Sequence, residues 1–336
     1  MTTYILRRLL LMVPTILGIT SACFLLCQLL PGGPVERKIA QIRHASALHG
    51  GLAREIPQEE IKILKAAYGF DKPLYVRYFS WLGNVCRFDF GISNVYQEPA
   101  LKVIARKFPL SLFFGLTSFI LSYLISIPLG VQKALSHGSF SDAVSTGFVF
   151  AGFVIPSYAL GIVLIIVFAG GSYLNWFPVG NIISENYESL TATGKALDFL
   201  RHMVLPLICY LVGEFALLTM LMKNSVLDEL GKDYMRTALA KGLSFKRAVW
   251  RQAFWNALIP IATGIGSIFA LLFTSALLIE RVFDLDGMGM LTYNSMLNCD
   301  YTVVMGIITL SSIFVMLGRL FSDIIYVVID PRIRFD

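Results

Sequence analysis

The feature that most constrains this chain is a series of apolar runs, each as long as a bilayer is thick. The first, Leu9 to Leu30, holds about twenty apolar residues, enough for a helix to cross a hydrocarbon core of ~30 Å. The composition agrees, because 15% of the residues are charged, against about 25% in soluble domains. The sequence therefore predicts an all-α polytopic membrane protein with six transmembrane helices, the other five being at 110–131, 144–168, 204–222, 258–278 and 303–328.

Basic residues orient these spans. Arg7 and Arg8 precede the first run, and a basic stretch separates the fourth run from the fifth. Short loops rich in Lys and Arg stay on the cytoplasmic side, and six spans return the chain to its starting side, so both termini are predicted to be cytoplasmic. The first run lacks the short apolar region and small-residue cleavage site of a signal peptide, which predicts an uncleaved span.

The basic stretch from Tyr234 to Pro260 is too charged to lie in lipid. Gly242 stands where a helix C-terminus favours a left-handed residue, and Ser244 is placed to cap a following helix. The sequence therefore predicts two short helices joined at a glycine. Two interpretations are open at this point: an amphipathic loop on the inner leaflet, or a protrusion that fits a groove in another protein.

Two motifs in this stretch, TALAKGLS at 237–244 and NALIP at 256–260, resemble the EAA loop of ABC-importer permeases in its dipeptide/oligopeptide form. The sequence departs from that pattern at Leu239 and Trp255, where the family commonly has Arg. The resemblance implies a coupling helix that docks on the ATP-hydrolysing subunit. The implied docking residues are Tyr234, Arg236, Thr237, Ala238, Ala240, Lys241, Gly242, Leu243 and Ser244.

The resemblance covers nearly the whole chain. Similar blocks occur at 68–91, 198–206, 280–291 and 330–335, although Thr302 replaces a usual proline. Within the family, the turn Pro31-Gly32-Gly33-Pro34 and the run Phe88-Asp89-Phe90-Gly91 are most similar to the Yej-type permease of microcin C and peptide uptake.

Similarity to this family implies the type I ABC-importer permease fold and a function. The chain would be the permease subunit of an ATP-driven importer that moves peptides or peptide-like compounds across the bacterial inner membrane by alternating access. The implied partners are a homologous permease subunit, ABC ATPase subunits, a periplasmic substrate-binding protein and membrane lipid. A receptor or structural subunit that translocates nothing is the alternative.

Four parts follow from these spans. Residues 1–30 are predicted as an N-terminal transmembrane helix and residues 31–109 as a periplasmic segment. Residues 110–328 would form the transmembrane core with the coupling loop 234–260, and residues 329–336 a cytoplasmic tail. The periplasmic segment is interpreted either as a packed cap or as a surface that meets the substrate-binding protein.

Catalytic and cofactor motifs do not occur in this sequence. Without G-x-x-x-x-G-K-[ST], the chain is not expected to cradle ATP phosphates, so ATP and Mg²⁺ would be bound by the partner ATPase. Neither G-x-S-x-G nor H-E-x-x-H occurs, and the four histidines and five cysteines show no metal-ligand spacing. We therefore expect a non-enzyme with no catalytic residue and no metal. The net charge of +6 comes with no nucleic-acid-binding pattern.

Glu214 is the one acidic residue near the middle of a predicted span. Acidic and basic residues cost about 2.5–3.5 kcal/mol at a helix centre, so its carboxylate is expected to face protein or water rather than lipid. Two interpretations are open. Glu214 either makes a polar contact between helices or belongs to the translocation pathway, where it would meet a cationic substrate.

Overall fold

The computed structural model describes residues 2–29, 36, 39, 57–67, 71–171, 173–271 and 277–329. Regular structure in these residues is helical, apart from an isolated bridge between Ile92 and Pro99. The predicted all-α class is therefore confirmed. The turn at 31–34 and the cytoplasmic tail at 330–336 lie outside the described residues.

The helices are numbered in chain order. They are α1 (Thr2–Leu29), α2 (Gln58–Ala67), α3 (Leu74–Val85), α4 (Ala100–Leu135), α5 (Phe140–Val154), α6 (Ser157–Phe168), α7 (Ala192–Leu230), α8 (Asp233–Ala240), α9 (Phe245–Ala248), α10 (Phe254–Thr263), α11 (Ile268–Leu271), α12 (Leu277–Val282), α13 (Met288–Leu297) and α14 (Tyr301–Ile329). A π-helical turn, Val249–Ala253, joins α9 to α10, and 3₁₀ turns lie at Tyr187–Ser189 and Gly264–Ser267.

Among the described residues, four helices are long and apolar enough to cross a membrane by themselves: α1, α4, α7 and α14. The third predicted span is the pair α5 and α6, which meet at an angle of 103°. Pro156 explains the break, because proline disfavours the helical region for the residue before it, and Ile155 is extended with ψ of 122°. A proline inside an apolar run predicts a kink, and the structure shows a full break between two helices.

The fifth predicted span, 258–278, is interrupted in the described part of the chain. It consists of α10, the turn Gly264–Ser267 and α11, and residues 272–276 lie outside the description. Close packing accompanies the turn. A Cβ on Gly266 would lie 2.2 Å from the carbonyl oxygen of Gly318 in α14. Only glycines allow two backbones to approach this closely, which is a common device between membrane helices.

Contacts divide the chain into two compact units. One, called the outer-segment unit, comprises Ile5–Pro109 and Leu291–Ile313, and the other, the core unit, comprises the remainder. Within the outer-segment unit, Phe24 and Cys27 of α1 pack with Val304 and Met305 of α14.

A buried ion group joins three helices of the core unit. The Asp142 carboxylate at the start of α5 lies 2.7 Å from Lys223 Nζ of α7 and 3.1 Å from Lys133 Nζ of α4. Lys133 also donates to the hydroxyls of Ser145 and Thr146, both at 2.7 Å. Buried charges persist only when paired and hydrogen-bonded, so this group fixes α4, α5 and α7 against one another.

The close approach of Gly266 and Gly318 leads to a stability prediction. A Cβ on Gly318 would lie 2.4 Å from the Gly266 carbonyl oxygen, so Gly318→Ala should destabilise the protein by about 1–3 kcal/mol. Gly147→Ala in α5 is the matched control, because open space surrounds that helical glycine. Thermal unfolding of the purified membrane complex should show a lower midpoint for Gly318→Ala only. Equal midpoints for the two variants would contradict the contact.

Candidate functional site

The turn after α8 confirms the predicted glycine geometry. Gly242 has φ of +84°, a value that costs residues with a Cβ about 1–2 kcal/mol. The Gly242 N–H donates to the Leu239 carbonyl at 2.9 Å, and the Leu243 N–H donates to the Ala238 carbonyl at 3.3 Å. These two bonds form a Schellman motif, which satisfies carbonyls that a helix C-terminus otherwise leaves unpaired.

The second short helix begins where the sequence predicted, but without the predicted side-chain cap. Ser244 is extended, with ψ of 145°, and its carbonyl accepts a hydrogen bond from the Ala248 N–H at 2.9 Å. Its hydroxyl makes no capping hydrogen bond. Helix α9 then passes through the π-helical turn into α10, so the stretch continues directly into the fifth apolar run.

One face of α8 is buried in the core unit. Met235 and Ala238 are 1% and 2% exposed and pack in one cluster with Met222 and Val226 of α7. This corrects one docking residue, because the Ala238 side chain faces the protein interior and a partner cannot reach it. Its small size serves close packing inside the subunit, and Leu243 is also half-buried against the cluster.

A polar network fixes the start of α8. Tyr234 donates a hydrogen bond to Glu229 at the end of α7, and Lys232 Nζ lies 2.6 Å from the same carboxylate. Burial, followed by the hydrogen bond to Glu229, raises the pKa of Tyr234. Asn256 hydrogen-bonds to Tyr234 as well, so the motif at 256–260 is connected to the start of α8, just before the motif at 237–244.

The remaining face of this stretch is exposed, and we call it the docking face because the family resemblance predicts docking there. Its members are basic, small or apolar side chains: Arg236, Thr237, Leu239, Ala240, Lys241, Ser244, Phe245, Lys246 and Arg247. The ion pair between Arg236 and Asp233, at 3.5 Å, is almost fully solvated and contributes little stability. The docking face thus presents positive charge and apolar surface, and the opposite face of α8 is packed against α7.

Glu280 is a buried residue whose role the sequence analysis missed. Its carboxylate accepts a hydrogen bond from the Met290 N–H at 2.8 Å and from the Ser111 hydroxyl at 3.3 Å. A Cβ on Gly287 would lie 2.3 Å from this carboxylate, which explains the glycine. The family-like block at 280–291 therefore builds the start of α13. The available signal was Gly287 in the loop after a span-flanking acid, but Ser111, which hydrogen-bonds to that acid, is 169 residues away in the sequence.

Glu214 lies half-buried in α7, within electrostatic reach of Tyr123 in α4. Among the described residues, no hydrogen bond or ion pair of the Glu214 carboxylate is found. No group of three or more acidic, histidine or cysteine side chains in the described part of the chain could hold a metal ion. Glu214 therefore stands apart from the paired acids Asp142, Glu229 and Glu280.

Comparison with known proteins places this architecture in a family. Residues 126–335 match the model of the binding-protein-dependent transport system inner membrane component. The peptidoglycan transport system permease protein YejB of Agrobacterium fabrum is 41% identical, over 100% of this chain and 99% of the relative. The inner membrane ABC transporter permease protein YejB of Escherichia coli O157:H7 is 39% identical over 100% of both chains. The oligopeptide transport system permease protein AppB of Bacillus subtilis is 33% identical over 100% of both. The chain belongs to the binding-protein-dependent transport system inner membrane components, and it is an ABC transporter permease subunit of the bacterial inner membrane.

Proposed function

We propose that this subunit carries peptides or peptide-like compounds inward, driven by ATP hydrolysis in partner subunits. The observation that supports the coupling part is the turn at Gly242, with a basic docking face on one side and a packed interior face on the other. The cargo follows from the relatives, whose names cite oligopeptide and peptidoglycan transport. Microcin C is a candidate cargo by the resemblance of Phe88-Asp89-Phe90-Gly91 and the turn at 31–34 to the Yej type.

In the proposed mechanism, ABC ATPase subunits bind ATP and Mg²⁺ and dock on the docking face. When the ATPase pair closes, force enters α8. Met235 and Ala238 are packed against α7, and Tyr234 is tied to Glu229, so α7 moves with α8. A homologous permease subunit completes the pathway as a heterodimer, and a periplasmic substrate-binding protein delivers the cargo. This chain forms part of the translocation pathway and transmits the movement of the ATPase subunits to it. ATP hydrolysis itself takes place in those partner subunits.

Gly242→Val tests the coupling role. Valine at φ of +84° is strained and should break the turn that sets the angle between α8 and α9. We expect the complex to assemble, and basal ATPase activity to remain, while stimulation by cargo-loaded binding protein and uptake into proteoliposomes are lost. Both activities are measured on the purified complex.

Gly138→Val is the matched control for this experiment. Gly138 has φ of +78° with open space around it, lies in the turn between α4 and α5 and is not a member of the docking face. The Gly138→Val variant should have similar backbone strain, but its ATPase activity should still be stimulated by cargo-loaded binding protein. Unchanged stimulation in Gly242→Val, or equal loss in both variants, would refute the coupling role. Absence of ATP-dependent uptake by the unmodified complex would favour the non-translocating subunit.

We further propose that Glu214 lines the translocation pathway and meets cationic groups of the cargo. Glu214→Gln keeps the shape and most hydrogen-bonding capacity but removes the charge. Uptake of cationic peptides should fall relative to neutral peptides, whereas assembly and ATPase stimulation by a neutral cargo should persist. Competition between cationic and neutral peptides of equal length measures the ratio. An unchanged ratio would leave Glu214 as a contact between helices, with Tyr123 as its neighbour.

The proposed orientation, with both termini cytoplasmic, is tested by labelling intact cells with an impermeant thiol reagent. Glu188→Cys has an exposed side chain in the loop between α6 and α7, which the proposed orientation places outside, and Lys241→Cys lies on the docking face. Both are made in a Cys86→Ser background, because Cys86 is an exposed native thiol. Labelling of the first variant only is expected, and Lys241→Cys should label after the membrane is permeabilised. The reverse pattern would place the docking face outside, beyond reach of an ATPase.

A further inference from the structure

Helix α3, in the segment predicted to be periplasmic, is amphipathic, but its aromatic face is exposed and its polar face points into the protein. Tyr75 and Phe79, four residues apart on one face, are 67% and 64% exposed. The polar side chains Arg77, Ser80 and Asn84, at spacings of three and four, instead line a cavity of about 310 Å³ within the outer-segment unit. A helix in water would turn these faces the other way, because exposing aromatic surface to water is unfavourable.

The depth of α3 can be read along α1, which crosses the membrane. The Tyr78 hydroxyl lies 3.1 Å from Thr20 Oγ1 and donates a hydrogen bond to the Leu17 carbonyl at 3.3 Å. Thr20 is ten residues before the outer end of the apolar run at Leu30, about 15 Å at 1.5 Å per residue. This distance is about half of a hydrocarbon core of ~30 Å, so Tyr78 reaches well into the membrane.

Aromatic packing holds the rest of α3 at a similar level. The Phe24 ring of α1 lies 5.4 Å from the Tyr78 ring and 6.5 Å from the Trp81 ring, centroid to centroid. With 12 residues, α3 is about 18 Å long, too short to cross the bilayer. A helix of this length beside the outer half of α1 fits within one leaflet.

We propose that α3 is embedded in the outer leaflet, with Tyr75 and Phe79 against phospholipid acyl chains. The exposed apolar side chains Leu25 and Leu26 of α1 belong to the surface of a membrane span, and α3 extends that lipid-facing surface. The single cation of α3, Arg77, lines the cavity and has Asp71 within electrostatic reach. Charged side chains at membrane depth are tolerated where they face protein or a cavity rather than lipid. The segment 31–109 is then periplasmic only in part.

Spin labels on the complete transporter in phospholipid nanodiscs can test this proposal. Phe79→Cys is made in a Cys86→Ser background, and the signal of the labelled background protein is subtracted. Collision rates with molecular oxygen, which concentrates in lipid, and with an aqueous nickel chelate are then measured. Leu26→Cys on α1 serves as the lipid-facing control, and Glu59→Cys on the exposed start of α2 as the aqueous control.

The Phe79 label should behave like the Leu26 label, with nickel collision several-fold lower and oxygen collision higher than at Glu59. Nickel collision equal to that at Glu59 would overturn the proposal and place α3 in water. A nickel collision rate that falls only when the substrate-binding protein is added would also overturn it, because that protein would then cover the face. If Phe79→Cys does not assemble, Tyr75→Cys on the same face provides the same measurement.

Discussion

The contact on which the proposed coupling depends is the burial of Met235 and Ala238 against the C-terminal part of α7. Force applied to α8 reaches α7 only if the contact between the two helices does not shift. Protein interiors are packed at crystal-like density and resist such a shift. Alanine at 238 brings α8 close to α7, and Met235 fills the cluster beside it. The outer face can then be basic and solvated without loosening the helix, since its position is fixed from inside.

The Asp142 group extends this rigidity to the helices beside α7. Lys223 belongs to α7 and Lys133 to α4, so one carboxylate links both to the start of α5. Replacing such a pair by apolar residues is often neutral, whereas removing one partner is strongly destabilising. Its value is therefore in specifying one arrangement of helices rather than in adding stability. In the proposed coupling, motion of α7 would draw α4 and α5 with it.

Local rules in the sequence predicted most of the local features, although the expected Ser244 cap does not form. The all-α class, the two short helices and the left-handed Gly242 follow from run length, propensity and glycine chemistry, each of which acts within a few residues. The other errors concern contacts between residues that are distant in sequence. Which face of α8 is buried decides the role of Ala238, and that depends on α7. The placement of the Glu280 carboxylate beside Gly287 likewise depends on neighbours that no periodicity identifies. Pro156 marks the position of the bend between α5 and α6, but not its angle of 103°.

The acidic residues buried or half-buried in this apolar chain differ in how their charge is compensated. Asp142 is neutralised by two lysines, Glu229 by Lys232 and the Tyr234 hydroxyl, and Glu280 accepts a backbone N–H at a helix start. Each arrangement offsets the cost of removing a carboxylate from water. Glu214 is half-buried with only the Tyr123 side chain within electrostatic reach among the described residues. Protonation, water, a neighbouring protein group or cargo can each satisfy such a carboxyl group in a span. The proposed cargo contact rests on the position of Glu214 in α7, the helix that α8 would move.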